Sequence, residues 1–262
     1  MITAKKSLGQ NFLIDENIIH KIVNICFIKD KNVLEIGPGT GNLTREILNK
    51  KPKTFFVVEK DYELSKFLNE NFKEKITIIN EDILKIDEKN LIKEKLVVFG
   101  NLPYNISTEI LCKWITNLDK ENFWFEELVL MFQKEVANRI IAKFNTSNYG
   151  RLSIISNWKL NIKKVFDIGP NSFSPRPKIE STVLHFTPKK KFFKISKPKN
   201  LETVTRIFFN HKRKMIKKPF NQIFNGNHDV INKLNIDLNL RPQNLDLLTY
   251  YKLTKEYENL RC

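Results

Sequence analysis

Five short runs rich in β-branched and aromatic residues, at 32–36, 54–59, 76–80, 95–99 and 128–132, recur along the chain with helix-length amphipathic stretches between them. Runs that are apolar on both alternating faces belong to strands covered on both sides, and the spacing leaves room for a helical crossover between successive strands. The pattern predicts an α/β fold, a mostly parallel doubly wound sheet. Residues 152–160 and 183–186 are expected to add later antiparallel strands, and helices are expected from Asn42, over 106–114, and over 201–209 and 229–236.

A chain of 262 residues with 41% hydrophobic residues can bury a large core, and its formal charge of +16 calls for a polyanionic partner. The excess is uneven. Residues 1–188 hold 28 basic against 23 acidic residues, whereas 189–262 hold 17 against 6. Pro188 followed by Lys189, Lys190 and Lys191 reads as a solvated junction, dividing the chain into a domain of residues 1–188 and a small basic helical domain of 189–262. Lys5 and Lys6 precede no apolar stretch of signal-peptide length, and no run approaches a membrane span, so a soluble cytoplasmic protein without a membrane partner is expected. Cys26, Cys112 and Cys262 lie far apart, and His20, His185, His211 and His228 form no i, i+4 pair. No disulfide framework and no metal site are expected.

The first strand runs into Gly37-Pro38-Gly39-Thr40-Gly41 and then a helix. Glycines let the backbone turn and approach a ligand closely, and the helix N-terminus beyond offers free N–H groups. Glu59 follows about twenty residues later at the next strand end, where a carboxylate accepts ribose hydroxyls. Asp82, in Glu81-Asp82 at the third strand end, could accept from an adenine amine. The spacing is G-x-G-x-G, not the G-x-G-x-x-G that cradles a pyrophosphate, which favours S-adenosylmethionine over a nicotinamide dinucleotide.

The fourth strand ends in Asn101-Leu102-Pro103-Tyr104. An exocyclic base amine is a poor nucleophile because its lone pair is delocalised into the ring. The Asn101 side-chain oxygen and the Leu102 carbonyl are acceptors that could draw that lone pair out, Pro103 brings no competing N–H, and Tyr104 offers a ring for stacking.

With these motifs in order, and with Gln10-Asn11-Phe12-Leu13 near the start and Phe173-Ser174-Pro175-Arg176-Pro177-Lys178 with Ser181 further on, the chain resembles the small-subunit ribosomal RNA adenine dimethyltransferases. The resemblance implies a Rossmann-like class I methyltransferase core that uses S-adenosylmethionine to dimethylate two adjacent adenosines in the 3′-terminal hairpin loop of small-subunit RNA, acting as a monomer. It implies cofactor contacts at Asn11, Leu13, Gly37, Gly39, Glu59, Asp82 and Asn101. Catalytic roles fall to Asn101, Leu102, Tyr104 and Phe173, the last as a second aromatic facing Tyr104. Glu109 departs from the family pattern near the start of a helix, and the region beyond 190 matches weakly apart from residues 208–214, which look like a basic helix.

Lys212, Arg213, Lys214, Lys217 and Lys218 are dense enough to bind RNA phosphates. The rival readings are a large-subunit adenine methyltransferase of the macrolide-resistance type, a non-catalytic RNA-binding assembly factor on the same fold and, more distantly, a nicotinamide oxidoreductase.

Overall fold

The computed structural model describes residues 4–5, 8–118 and 123–261; Lys6 and Cys262 lie outside them. The chain forms two compact units. The first comprises Met1–Lys113, Glu121–Ala137 and Asn161–Pro188, and the second Trp114–Lys120, Asn138–Leu160 and Lys189–Cys262. Pro188 therefore ends the last stretch of the first unit, while the second also takes in 114–120 and 138–160 from within the expected first domain.

The first unit is built on β2 (Asn32–Ile36), β3 (Thr54–Val58), β4 (Thr77–Ile79), β5 (Leu96–Asn101), β6 (Phe125–Gln133), β7 (Leu160–Ile168) and β9 (Ser181–Pro188), in the order β4-β3-β2-β5-β6-β9-β7. Strands β4, β3, β2, β5 and β6 pair in parallel, and β9 runs antiparallel to β6. A separate two-stranded ladder pairs β1 (Phe12–Leu13) with β8 (Phe173–Ser174). All five residues of β2 are buried, as are the first five of β5, which accounts for their unbroken apolar runs.

Chain direction decides where a site can form. From β2 the chain adds β3 and β4 on one side and then returns to lay β5 on the other, so β2 and β5 are adjacent although 64 residues separate their paired first residues, Asn32 and Leu96. This switch point opens a crevice at the C-terminal strand ends. Helix α1 (Glu16–Val23) is capped by Asp15, which accepts from Ile18 N–H, and α3 (Tyr62–Phe72) by Asp61, which accepts from Glu63 N–H. Helix α2 (Asn42–Asn49) follows the glycine loop, and α4 (Ser107–Thr116) carries Glu109 in its first turn.

Helix α5 (Lys134–Ile140) follows β6. The second unit contains α6 (Arg151–Lys159), α7 (Pro198–Phe209), α8 (Lys217–Phe224), α9 (His228–Leu234) and α10 (Leu247–Asn259). Tyr250 of α10 meets Phe208 and Phe209 of α7 at ring separations of 5.8 and 5.6 Å, and Glu258 accepts the N–H groups of Ser196 and Lys197 ahead of α7. The buried Lys159 amine donates to the carbonyls of Ile115 and Leu118. Two expectations are corrected here. Residues 152–159 are helical, with only Leu160 opening a strand, because this helix buries Ile154, Ile155, Ser156, Trp158 and Lys159 and so shows no exposed face to mark its period. Residues 210–214 form a turn after α7 rather than the end of a basic helix.

Glu35 sits inside β2 at 1% exposure and accepts a hydrogen bond of 2.7 Å from the Thr44 hydroxyl of α2. Burial pushes its carboxyl up to about 8, against the Thr44 hydrogen bond and with help from the Glu59 charge. A carboxyl held above its unfolded value stabilises the fold fully below pH 4.5, and that contribution fades as pH rises toward 8. Urea unfolding of Glu35→Gln beside the wild type is therefore expected to show the variant gaining relative stability between pH 5 and 8, by at most about 1.4 kcal/mol per pH unit. A gap that does not change with pH would contradict the buried neutral carboxyl.

Candidate active site

The crevice at the switch point is an open cleft of about 930 Å³, lined by the N-terminal segment, the glycine loop and the ends of β3, β4 and β5. Gly37 follows β2, and its N–H donates to the Val58 carbonyl at the end of β3 (3.0 Å). A Cβ added at Gly37 would lie 3.2 Å from the Asn101 carbonyl oxygen, so the loop and the end of β5 are in close approach. Gly39 adopts φ +57°, and a Cβ there would lie 2.6 Å from the Phe12 ring. Both backbone conformation and space require glycine.

Glu59 at the end of β3 is buried and accepts from Gly39 N–H (3.3 Å) and Asp61 N–H (2.9 Å). Burial raises its carboxyl despite these hydrogen bonds. Asp82, after β4, accepts from Lys60 (2.8 Å) and from Leu84 N–H (3.0 Å), and the Lys60 hydrogen bond leads the causes that hold it below the usual carboxylate range. Lys60 is the only basic side chain lining the cleft among the described residues, and this pairing occupies it.

The N-terminal segment is fastened by Asp61. Lys5 donates to one of its oxygens (2.7 Å) and Gln10 to the other (3.1 Å). Burial alone would raise Asp61, but the Lys5, Gln10 and Glu63 hydrogen bonds and the Lys5 charge outweigh it and lower the carboxyl. So anchored, the segment brings the Asn11 carbonyl within 2.8 Å of Asn101 Nδ2, which donates to it. The amide nitrogen is committed, and Asn101 Oδ1 accepts no hydrogen bond among the described residues; nor does the Leu102 carbonyl. Two acceptors on consecutive residues are left open at the cleft. Tyr104 lines the same cleft, with its hydroxyl 2.5 Å from the buried Ser181 Oγ of β9, and burial pushes its phenol up.

Residues 1–259 match the family described as ribosomal RNA adenine dimethylase. A curated relative from Pelagibacter ubique, named ribosomal RNA small subunit methyltransferase A, is 65% identical over 260 residues, 99% of each chain. The chain belongs to the ribosomal RNA adenine dimethylases. A relative of the same name from a Wolbachia of Drosophila simulans is 42% identical over 273 residues, covering 100% of this chain and 96% of its own. The crystal structure of a dimethyladenosine transferase from Plasmodium falciparum superposes with a TM-score of 0.80 at 28% identity, over 95% of this chain and 98% of that one. The 23S rRNA methyltransferase ErmE shares the fold, with a TM-score of 0.68 at 21% identity, over 95% of this chain and 100% of that one. The expected class I methyltransferase core is the fold of this family member, and the chain is an enzyme.

Of the residues singled out from the sequence, Asn11, Gly37, Gly39, Glu59, Asp82, Asn101, Leu102 and Tyr104 line the one cleft. Leu13 and Phe173 do not. They pair with each other across the β1–β8 ladder and lie in the core at 5% and 3% exposure, and the Leu13 carbonyl accepts from Asn42 Nδ2. Asp61 went unremarked in the sequence, although an aspartate just beyond a strand and opening a helix carries the signature of an N-cap. Gly39→Ala is expected to cost about 1–3 kcal/mol through left-handed strain and displacement of Phe12, read from urea midpoints. Wild-type stability in that variant would contradict the close approach.

Proposed function

We propose that this enzyme transfers methyl groups from S-adenosylmethionine to the exocyclic amines of two adjacent adenosines in the 3′-terminal hairpin loop of small-subunit ribosomal RNA. The reading places a monomer in the cytoplasm, working on assembling small subunits. The observation that carries it is the Asn101 amide, held by Asn11 so that its oxygen is turned free.

The cleft suits the cofactor on two counts. The glycine loop leaves a cradle that a side chain would fill, and Glu59 and Asp82 stand as acceptors at successive strand ends. A dinucleotide is less well served, since Lys60, the one basic lining residue among those described, is already paired with Asp82. Asn11, Gly37, Gly39, Glu59, Asp82 and Asn101 would hold the cofactor, with Leu13 acting from behind through the placement of β1. When bound, S-adenosylmethionine supplies an electrophilic methyl carbon on sulfonium sulfur.

The residues of the chain supply orientation. Asn101 Oδ1 and the Leu102 carbonyl each accept one proton of the adenine amine, which favours a pyramidal nitrogen with its lone pair localised. Tyr104, its hydroxyl tied to Ser181, presents a ring on which an extruded base stacks. Phe173 would serve as the second aromatic only by turning its ring, buried in the core beside β1, toward the cleft. The alkylated nitrogen becomes acidic and sheds its proton to solvent, so no strong base is needed.

RNA affinity is assigned to the second unit. Arg213, Lys214, Lys217, Lys218 and Arg241 surround an open groove of about 1590 Å³. Lys212 is a poorer phosphate ligand than its place in the sequence suggests. Its amine donates to the Ser147 and Tyr149 carbonyls, and burial lowers its basicity.

With labelled S-adenosylmethionine and under-methylated small subunits, the wild type is expected to label the two loop adenosines. Asn101→Ala is expected to lose turnover by about 100-fold or more while RNA binding persists. Label on large-subunit RNA would support the macrolide-resistance type, and no label would support the assembly factor. Replacing Lys214 and Lys217 by Gln should weaken RNA binding and reduce the slope of log affinity against log salt by about one for each phosphate that is no longer neutralised. An unchanged slope would remove this groove from the RNA interface.

A further inference from the structure

We infer that Cys26, Glu127 and His185 form a divalent-metal site of the zinc class, on the first unit and apart from the methyl-transfer cleft. None of the three lines that cleft among the described residues. Cys26 lies in the segment between α1 and β2, Glu127 on β6 and His185 on β9, separated from Cys26 by 101 and 159 residues respectively. No spacing motif could therefore reveal them. The antiparallel register pairs Val129 with His185, which puts Glu127 and His185 on the same face of neighbouring strands as a diagonal pair. Cys26 comes onto that face from the core cluster that also holds Val129, Met131 and Val183.

The donor atoms converge. Cys26 Sγ lies 3.2 Å from Glu127 Oε2 and 3.8 Å from His185 Nε2, and Nε2 lies 2.6 Å from Oε2. A tetrahedral zinc with usual bond lengths separates its ligands by roughly 3.3–3.6 Å, so both sulfur edges are already close to size. Only the nitrogen–oxygen edge must widen, as the proton between those atoms gives way to a cation. The geometry does not fit a nucleophile relay. A thiol–imidazole–carboxylate relay needs the two ring nitrogens to face different partners, whereas here the same Nε2 meets both sulfur and carboxylate. Three unlike donors around one point fit chelation instead.

The mixture of donors selects the metal. Thiolate and imidazole with one carboxylate suit zinc, whereas magnesium and calcium require oxygen ligands. Cys26 is buried, while Glu127 and His185 keep 29% and 19% of their side chains exposed, leaving the fourth position open on the solvent side. Without metal, burial and the Glu127 charge keep the thiol protonated. On binding, the metal–sulfur bond replaces the S–H bond and the thiol proton leaves to solvent, while the proton shared by His185 Nε2 and Glu127 Oε2 moves to His185 Nδ1 or, where the imidazole was charged, also leaves to solvent. The ion would fasten the segment after α1 to the β6–β9 pair.

Cobalt(II) serves as the probe, titrated into tag-free full-length protein stripped with a chelator. One equivalent is expected to give a thiolate charge-transfer band with the visible bands of a tetrahedral ion, bleached by zinc. Cys26→Ser should abolish the charge-transfer band, and Glu127→Gln and His185→Gln should each weaken binding about 10-fold or more. Zinc at 100 times its Kd should raise the wild-type ratio of folded to unfolded protein about 100-fold in thermal unfolding, with that gain lost in His185→Gln. A charge-transfer band that survives Cys26→Ser would place the metal on another thiol and overturn the proposal. So would no band in the wild type, or zinc stabilisation that persists undiminished in His185→Gln.

Discussion

The hydrogen bond from Asn101 Nδ2 to the Asn11 carbonyl is the contact on which the methyl-transfer cleft depends. An asparagine amide carries donors at one end and an acceptor at the other, so committing the nitrogen decides where the oxygen points. Ninety residues separate the partners, and each is fixed by its own means. Asn101 ends β5, which is held beside β2 by parallel pairing from Asn32–Leu96 through Ile36–Gly100. Asn11 belongs to a segment tied to Asp61, the N-cap of α3, through Lys5 and Gln10.

The same region concentrates polar groups that a core would ordinarily exclude. Glu35 and Glu59 are both buried near the glycine loop, and each carboxyl is raised by that burial. Their hydrogen bonds to Thr44, Gly39 and Asp61 bind the loop to α2 on one side and to the start of α3 on the other. Desolvation is thereby offset by local order in the segment that must hold its shape without help from side chains.

The sheet was legible because its central strands β2 and β5 are buried on both faces and so appear as unbroken apolar runs, and the glycine loop was legible because its spacing is local. Residues 152–159 were not, since a helix buried around most of its circumference loses the periodicity that distinguishes it from a strand. Within the site, the strand-end residues Glu59, Asp82 and Asn101 follow from position in an α/β sheet, and the cleft holds them. Leu13 and Phe173 owe their prominence to family resemblance, and their packing in the core follows from a two-residue ladder too short to leave a pattern. Lys212 shows the limit of counting charges. Its neighbours Arg213 and Lys214 face an open groove, while it turns inward to two carbonyls. The Cys26, Glu127 and His185 cluster exists only through folding, as paired β6 and β9 bring Glu127 and His185 to Cys26 in the segment after α1.

The acceptor role of Asn101 and Leu102 is best tested by a crystal structure of the enzyme with an adenosine-containing loop and a non-reactive cofactor analogue. Asn101 Oδ1 and the Leu102 carbonyl are each expected within about 3.2 Å of the adenine N6, with Asn101 Nδ2 still donating to Asn11. An amide rotated to point its nitrogen at the base, or a base amine held by other groups, would contradict that role.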